Sequence, residues 1–120
     1  MTGLTEALAE FIRAKTLQDL PPGGLDEAKK AIADTFAIML AGAGSEVAPP
    51  LLRYAEQRGE RGASPLLGSG RRASREMAAL INGSFGHALD FDGVLSMMPA
   101  HPSAVILQAL FADPYVCEAI

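Results

Sequence analysis

The side chains with catalytic potential are concentrated in two nearby segments, residues 82–93 and 100–103. Both histidines of the protein, His87 and His101, lie in these segments. If a helix continues through His87, Asp90 follows one turn later and can hydrogen-bond to the imidazole. A carboxylate beside an imidazole fixes its tautomer and favours its action as a general base. The spacing therefore indicates acid–base chemistry in this part of the chain.

The other polar residues of these segments leave a second chemistry open. On helical spacing, Asp92 points away from His87. A loop over residues 94–99 then brings His101 back beside the carboxylates. One imidazole and two carboxylates in the pattern His-x-x-Asp-x-Asp can equally hold a divalent metal ion, with His87, Asp90 and Asp92 as the ligands.

A purely structural role accounts for the same residues without any chemistry. In that interpretation Asp90 and Asp92 cap the end of one helix, and His101 caps the start of the next. Ser84 and Ser103 lack the strand-turn-helix context of an activated serine, so the sequence does not favour acyl transfer.

The composition is that of a globular protein and excludes a disordered tail. Apolar residues make up 49% and charged residues 20% of the 120 residues, and the formal charge is -4. The basic residues form no large cluster, so the sequence lacks the electrostatic signature of a nucleic-acid partner. The single cysteine, Cys117, cannot form an internal disulfide, and the apolar runs are shorter than the roughly 20 residues of a membrane span. We therefore expect a cytoplasmic protein.

Hydrophobic residues at helical spacing predict an all-α fold, because the alternation typical of strands is nearly absent. Gly42 and Gly44 are natural stops for the second helix, and Ser74 is a favourable N-cap for the fourth. The expected helices begin near Leu4, Leu25, Val47, Ser74 and Pro102, and a loop over residues 60–74 contains a short extended piece at 65–67.

Two segments are more apolar than five short helices can bury. Residues 36–41 are apolar on all sides, so we expect this helix to enter a core on every side. The helix that begins near Pro102 is similarly apolar and breaks at Asp113-Pro114. Such faces indicate missing partners, in an oligomer or in a longer parent chain, and the abrupt ending favours a truncated parent.

Three short sequence patterns carry a family resemblance. Asn-Gly at 82–83 is followed by His-Ala-Leu-Asp-Phe-Asp at 87–92 and by His-Pro-Ser at 101–103. In this order the patterns resemble the MmgE/PrpD family, which includes 2-methylcitrate dehydratase and cis-aconitate decarboxylase. Residues 4–11 resemble the first helix of that family, and residues 34–42 resemble the second.

The resemblance implies a cofactor-independent lyase that carries out elimination or decarboxylation on a small di- or tricarboxylate such as 2-methylcitrate or cis-aconitate. It implies catalytic roles for two residues, with His101 moving a proton and Asp90 orienting or polarising the reacting groups. His87, Asp92 and Ser103 match further positions of the family patterns and are assigned to substrate binding. The resemblance also implies homodimers, no metal ion and no organic cofactor.

Residues 1–120 then correspond to the amino-terminal portion of a larger all-helical domain, without the rest of that domain and without a lid domain. The sequence departs from the family pattern at Gly93, where many members have Asp, at Gln108, where Pro is frequent, and after Ala112. We therefore expect a truncated chain that is inactive alone. Two alternatives stay open: a non-catalytic helical fragment that associates with a full-length relative, and a metal-dependent hydrolase that uses the His-x-x-Asp-x-Asp pattern.

Overall fold

The computed structural model of the chain describes residues 3–94 and 100–118, and these residues are mostly helical. The elements are α1 Leu4–Ala14, a 3-10 turn Leu17–Asp19, α2 Gly24–Gly42, α3 Ala48–Gln57, β1 Ser64–Leu66, β2 Arg71–Ala73, α4 Arg75–His87, α5 Pro102–Phe111 and α6 Pro114–Glu118. The predicted all-α class is confirmed, with one short hairpin in addition. The chain divides into two compact units, residues 1–30 and 31–120, and the division falls within α2.

The first unit contains α1, the 3-10 turn and the start of α2. The apolar residues of α1 share one face at helical spacing, and none of them is buried. They are Leu4, Leu8, Phe11 and Ile12. The 3-10 turn is closed by a capping box, in which the main-chain N–H and the hydroxyl of Thr16 donate to Asp19 Oδ2 at 2.8 and 2.9 Å. Local hydrogen bonds therefore hold the 3-10 turn of this unit.

α4 is the centre of the core in the second unit, where it packs against α5, α3 and the hairpin. The apolar residues of α4 that this packing buries are Met77, Ala78, Ile81 and Phe85. A smaller cluster joins Met39 of α2 to Leu67 and Phe111. The rings of Phe36 and Phe111 meet edge to face, with centroids 5.6 Å apart. Burying one such side chain stabilises a fold by about 1.5–3 kcal/mol, so α4 and its neighbours hold most of the stabilising contacts.

The hairpin occupies the segment that the sequence assigns to a loop with an extended piece at 65–67. β1 and β2 pair antiparallel, in a register that places Ser64 opposite Ala73. Gly68 and Gly70 in the connecting turn have positive φ angles of 69° and 70°, which glycine adopts without steric cost. The Gly-Ser-Gly sequence therefore forms a tight turn that returns the chain to the start of α4.

α2 ends at Gly42, as predicted, and the structure supplies an additional reason for glycine there. Gly42 is buried, and a Cβ atom at this position would overlap the carbonyl oxygen of Phe85 in α4. The missing side chain lets the end of α2 approach the backbone of α4.

The prediction that residues 36–41 enter a core on every side is wrong for the described chain. Ile38 and Met39 are buried, whereas Leu40 is 43% exposed and Ala37 is also exposed. The reason is that the described elements pack against only one side of this helix.

α5 is apolar around most of its circumference and is buried only in part. Ala104 and Phe111 are buried, but Val105, Ile106 and Leu110 are 66%, 58% and 47% exposed. The apolar surface thus exceeds what the described residues cover, as the sequence predicted. Within residues 3–94 and 100–118, no helix combines the length and the hydrophobicity needed to cross a membrane.

Candidate active site

The first feature that positions the candidate site is the start of α4. The hydroxyl of Ser74 accepts a hydrogen bond from the main-chain N–H of Met77 at 3.2 Å, which confirms Ser74 as the N-cap. From this cap α4 runs to His87, the last residue of the helix. The helix therefore presents His87 at the edge of the core.

Asn82 fixes α4 against the hairpin. Its side chain is fully buried, Oδ1 accepts from the main-chain N–H of Leu67 and Nδ2 donates to the carbonyl of Pro65, both at 3.0 Å. A buried amide with both ends paired avoids the penalty of an unsatisfied polar group. The Asn-Gly pattern of the sequence thus has a structural function, because it locks the helix that ends at His87.

The chain reverses direction directly after α4, at Asp90. This residue has a φ of 55°, in the left-handed region that Asp tolerates better than most residues. Its main-chain N–H donates to the carbonyl of His87 at 3.2 Å. Because the helix stops at His87, the predicted side-chain pair of His87 and Asp90 at helical spacing does not form.

Asp92 is the carboxylate that contacts His87, so the expectation that it points away is wrong. The Nδ1 atom of His87 lies 3.0 Å from Asp92 Oδ1 and 3.1 Å from Oδ2. The physical reason is the turn at Asp90, which brings the chain back towards the end of α4. The sequence predicted a histidine–carboxylate pair at His87, but with Asp90 as the partner instead of Asp92.

His101 approaches the same carboxylate from the start of α5. Its Nδ1 lies 3.0 Å from Asp92 Oδ2 and 3.2 Å from the main-chain oxygen of Asp92. The predicted return of His101 to the carboxylates is confirmed. His101 occupies the N-cap position of α5 but makes no side-chain capping bond, so the helix-capping interpretation fails for its imidazole.

One buried carboxylate therefore holds two imidazoles. The rings of His87 and His101 have centroids 4.8 Å apart and planes inclined by 68°. The side chain of Asp92 is 1% exposed, against 56% for His87 and 29% for His101. A buried carboxylate needs such donors, because an unpaired one would pay a large desolvation penalty. With the proton on Nδ1, each ring keeps Nε2 as a free acceptor.

An open groove of about 430 Å³ lies beside this cluster, between α4 and α5. Its lining combines small and apolar residues with the two imidazoles: Ala79, Leu80, Gly83, Ser84, His87, His101, Ala104, Val105 and Gln108. At Gly83 a Cβ atom would overlap the carboxamide of Gln108. Gln108 Oε1 is buried and has no hydrogen-bond partner among the described residues. The groove is thus a place where a small molecule can reach the imidazoles.

The four polar groups that the sequence singled out converge beside this groove, and the two histidines among them line it. His87, Asp90, Asp92 and His101 each offer a nitrogen or oxygen atom, and these atoms all lie within 4.8 Å of one another. Mixed nitrogen and oxygen donors at such separations can also hold a divalent metal ion. The arrangement is therefore suited to proton transfer or to ion binding.

The remaining sequence predictions for the site have mixed outcomes. Ser103 lies half-buried in the first turn of α5 and is not among the residues that line the groove. Of the loop expected over 94–99, residues 95–99 lie outside the described part of the chain. Sequence reasoning missed Gln108 and Ala79 as lining residues. They line the groove because α4 packs against α5, and no local sequence pattern predicts that packing.

Comparison with known proteins adds evidence independent of this geometry. The sequence profile of the MmgE/PrpD N-terminal domain matches residues 6–113. Over 109 residues the chain is 29% identical to the cis-aconitate decarboxylase-like protein oryM of Aspergillus oryzae, a match that covers 91% of this chain and 23% of that protein. Over 111 residues it is 26% identical to the cis-aconitate decarboxylase of Aspergillus terreus, covering 92% of this chain and 23% of that enzyme. The chain thus spans less than a quarter of the length of these relatives. No solved structure gives a significant match.

Proposed function

The chain belongs to the MmgE/PrpD family, and from this premise we propose that it supplies the proton-transfer cluster of a lyase acting on a small di- or tricarboxylate. The class of substrate follows from the names of the relatives, two of which are cis-aconitate decarboxylases. Substrates of this kind are cis-aconitate and 2-methylcitrate. The reaction is decarboxylation or dehydration, both of which depend on moving a proton at carbon.

The observation that carries the proposal is the buried carboxylate of Asp92 with an imidazole on each oxygen. A carboxylate in this position sets the tautomer and the orientation of both rings, as a general base requires. Since the Asp92 side chain is 1% exposed, we assign it a positioning role rather than a contact with substrate.

His101 is the residue we assign to proton transfer at the reacting carbon. In a dehydration, Nε2 of His101 takes a proton from the substrate carbon that bears a carboxylate, and the hydroxyl group leaves from the neighbouring carbon. In a decarboxylation, carbon dioxide leaves and the carbanion receives a proton from the imidazolium. Asp90, exposed at the rim of the cluster, orients or polarises the substrate, and His87 contacts it from the end of α4.

The groove fits a small acid better than a large ligand. Small and apolar residues form most of its wall, and the two imidazoles are among its polar groups. A substrate carboxylate can therefore bind at the imidazoles while its carbon chain contacts the apolar wall. We extend the proposal to the predicted homodimer and to a cytoplasmic location of the complete enzyme.

The isolated chain is proposed to be inactive, because it spans only 23% of the length of its relatives. The described groove is open, and a proton-transfer cluster that neither excludes water nor clamps the substrate loses most of its catalytic advantage. A direct check is an ultraviolet assay of the purified chain with cis-aconitate and 2-methylcitrate. Turnover by the 120-residue chain would contradict this part of the proposal.

A chimera tests the function itself. Residues 6–113 would replace the matching segment of the cis-aconitate decarboxylase of Aspergillus terreus, and release of carbon dioxide from cis-aconitate would be measured. His101→Ala in the chimera should lower turnover by about 10²-fold or more, the usual contribution of a positioned acid–base group. Glu76→Gln, an exposed change on α4, is the matched control and should leave turnover unchanged.

A His101→Ala chimera with normal turnover would remove His101 from the mechanism. Because a graft between distant relatives can fail to fold, a second measurement uses the chain itself. Only two imidazoles exist, so their carbon-bound proton resonances are readily assigned with His87→Gln and His101→Gln. Tricarballylate, an unreactive tricarboxylate, should change the chemical shifts of both histidines. Unchanged chemical shifts at saturating tricarballylate would count against a substrate site in this groove.

A second function is favoured by one observation, the exposed apolar face of α5. A non-catalytic chain that associates with a full-length relative would cover Val105, Ile106 and Leu110 on binding. Co-expression with a full-length member of the family tests this alternative. A complex that Ile106→Asp abolishes would support this alternative. If no complex forms, the alternative is excluded and the lyase proposal remains.

A further inference from the structure

We propose that the cluster of His87, Asp90, Asp92 and His101 binds one divalent transition-metal ion, of the class of Zn²⁺ or Co²⁺. The four side chains come from the end of α4, the turn that follows it and the start of α5. This inference does not rest on the proposed lyase function, because it concerns the affinity of the groups for an ion and not their action on a substrate.

The separations among the donor atoms carry the inference. All four lie within 4.8 Å of one another. Both Nδ1 atoms converge on one carboxylate, each 3.0 Å from an oxygen of Asp92. Two ligand atoms on one tetrahedral zinc ion are about 3.4 Å apart, so the cluster needs a contraction of roughly 1.4 Å at its widest pair. An exposed side chain such as Asp90 can supply that movement by rotating about its own bonds.

The backbone at Asp90 is an independent observation that favours a ligand role. A left-handed conformation is uncommon outside glycine and costs energy that the surrounding structure must offset. Here it brings a second carboxylate to the imidazoles, although no side-chain hydrogen bond to Asp90 is found among the described residues. A cation between the two carboxylates would use this carboxylate directly.

Charge and donor type decide the class of ion. As metal ligands, imidazoles are neutral and carboxylates are ionised, so this set of two imidazoles and two carboxylates carries a charge of about -2, which one divalent cation neutralises. Imidazole nitrogen suits zinc, cobalt and nickel, whereas magnesium and calcium prefer sites made wholly of oxygen. The burial of Asp92 strengthens its interaction with the ion, because water screens a covered carboxylate less than an exposed one.

An ion at this position and the proposed proton transfer exclude one another. Metal coordination at Nδ1 displaces the proton that this nitrogen donates to Asp92, and the ring then carries its proton on Nε2. A ring coordinated in this way no longer offers Nε2 as a free base. The ion would therefore inhibit a chimera that turns over substrate in chelator-treated buffer.

Calorimetric titration of the chelator-treated chain with ZnCl₂ tests the site. One ion should bind per chain, and Co²⁺ should give the visible absorption of a low-symmetry nitrogen and oxygen site. Asp90→Asn changes only an exposed side chain and should lower the affinity at least tenfold, a typical cost of disturbing a metal site. His101→Ala should lower it further, and circular dichroism would show that each variant is folded.

Two matched controls make the result decisive. Asp26→Asn removes an exposed carboxylate in the first turn of α2 and should leave the affinity unchanged. Cys117→Ser removes the single thiol of the sequence, and the affinity should again be retained. The inference is overturned if no ion binds, if Asp90→Asn and His101→Ala bind as tightly as the parent chain, or if Cys117→Ser abolishes binding. To keep the two tests separate, the assay of lyase activity is run with a chelator present, so that none of these results bears on it.

Discussion

α4 and α1 are both amphipathic helices by sequence, but only α4 has a buried apolar face. Phe85 of α4 is fully buried, whereas Phe11 of α1 is 59% exposed. α4 buries a continuous face among α3, α5 and the hairpin, while no residue of α1 is buried. The comparison shows that periodicity indicates which face of a helix would be buried, and that only the availability of packing partners decides whether it is.

The largest expected effect is at the most buried position of α4. Phe85→Ala should lower the free energy of unfolding by about 3–5 kcal/mol, because it removes a covered ring and leaves a cavity. Phe11→Ala is the matched control on α1 and should change stability by less than about 0.5 kcal/mol. Urea unfolding followed by circular dichroism measures both. Equal losses for the two variants would show that the face of α1 is covered in solution.

The close approach of α2 to α4 predicts the next effect. Gly42→Ala places a methyl group against the carbonyl of Phe85 and should cost about 1–3 kcal/mol through overpacking. Gly93→Ala is the control, because an added Cβ there meets no other atom within 4 Å. If thermal unfolding finds the two variants equally stable, α2 and α4 can separate enough to admit the methyl group without cost.

The amide of Asn82 provides a third test of how α4 is held. Asn82→Leu keeps the branched shape of the side chain but leaves the N–H of Leu67 and the carbonyl of Pro65 without their partner. The N–H of Leu67 makes the more buried of the two bonds, and an unsatisfied buried group costs about 1–3 kcal/mol, so its loss alone should lower the free energy of unfolding by about that amount. Ser84→Ala on the same helix removes only a bond from its hydroxyl to the carbonyl of Leu80 and should have little effect. A stable Asn82→Leu variant would mean that apolar packing alone holds α4 to the hairpin.

The smallest effect belongs to the first unit and depends on pH. Hydrogen bonds from the main chain and hydroxyl of Thr16 hold the pKa of Asp19 below its ordinary value of 3.8. A lowered carboxyl pKa contributes stability above the ordinary value, and this contribution is lost as the pH falls through the lowered one. Carbon-13 titration of the Asp19 carboxyl should show the lowered pKa, and Thr16→Ala should return it towards 3.8. An ordinary titration in the parent chain would mean that the capping box is open in solution.

Local sequence rules predicted helices α1 to α5, missed α6 at Pro114–Glu118, and were only partly sufficient for the site. Ser74 and Gly42 marked helix ends correctly because caps and stops act through adjacent residues. The position of His101 beside a carboxylate also followed from the order of segments. The sequence did not predict that Asp92, and not Asp90, contacts His87. That contact depends on the left-handed conformation of Asp90, and local sequence patterns do not predict a positive φ at an aspartate.

The long-range contacts of the site were beyond local inference for a different reason. Asn82 bonds to residues 15 and 17 positions earlier, and Gln108 reaches the groove because Gly83 makes room for it. Such contacts depend on how whole elements pack. The family resemblance named the Asn-Gly pair correctly, but only the structure shows that its first residue holds α4 to the hairpin and its second admits a neighbouring side chain.

The hydrogen bond from Leu67 to Asn82 has a consequence for hydrogen exchange. Leu67 lies just beyond β1, where main-chain amides ordinarily exchange with solvent deuterium quickly because local fluctuations expose them. Its N–H is instead donated to a fully buried side chain of the central helix. Exchange at this amide therefore requires the hairpin to separate from α4, so a single connecting residue should exchange as slowly as the interior amides of the helix and report the opening of the whole core.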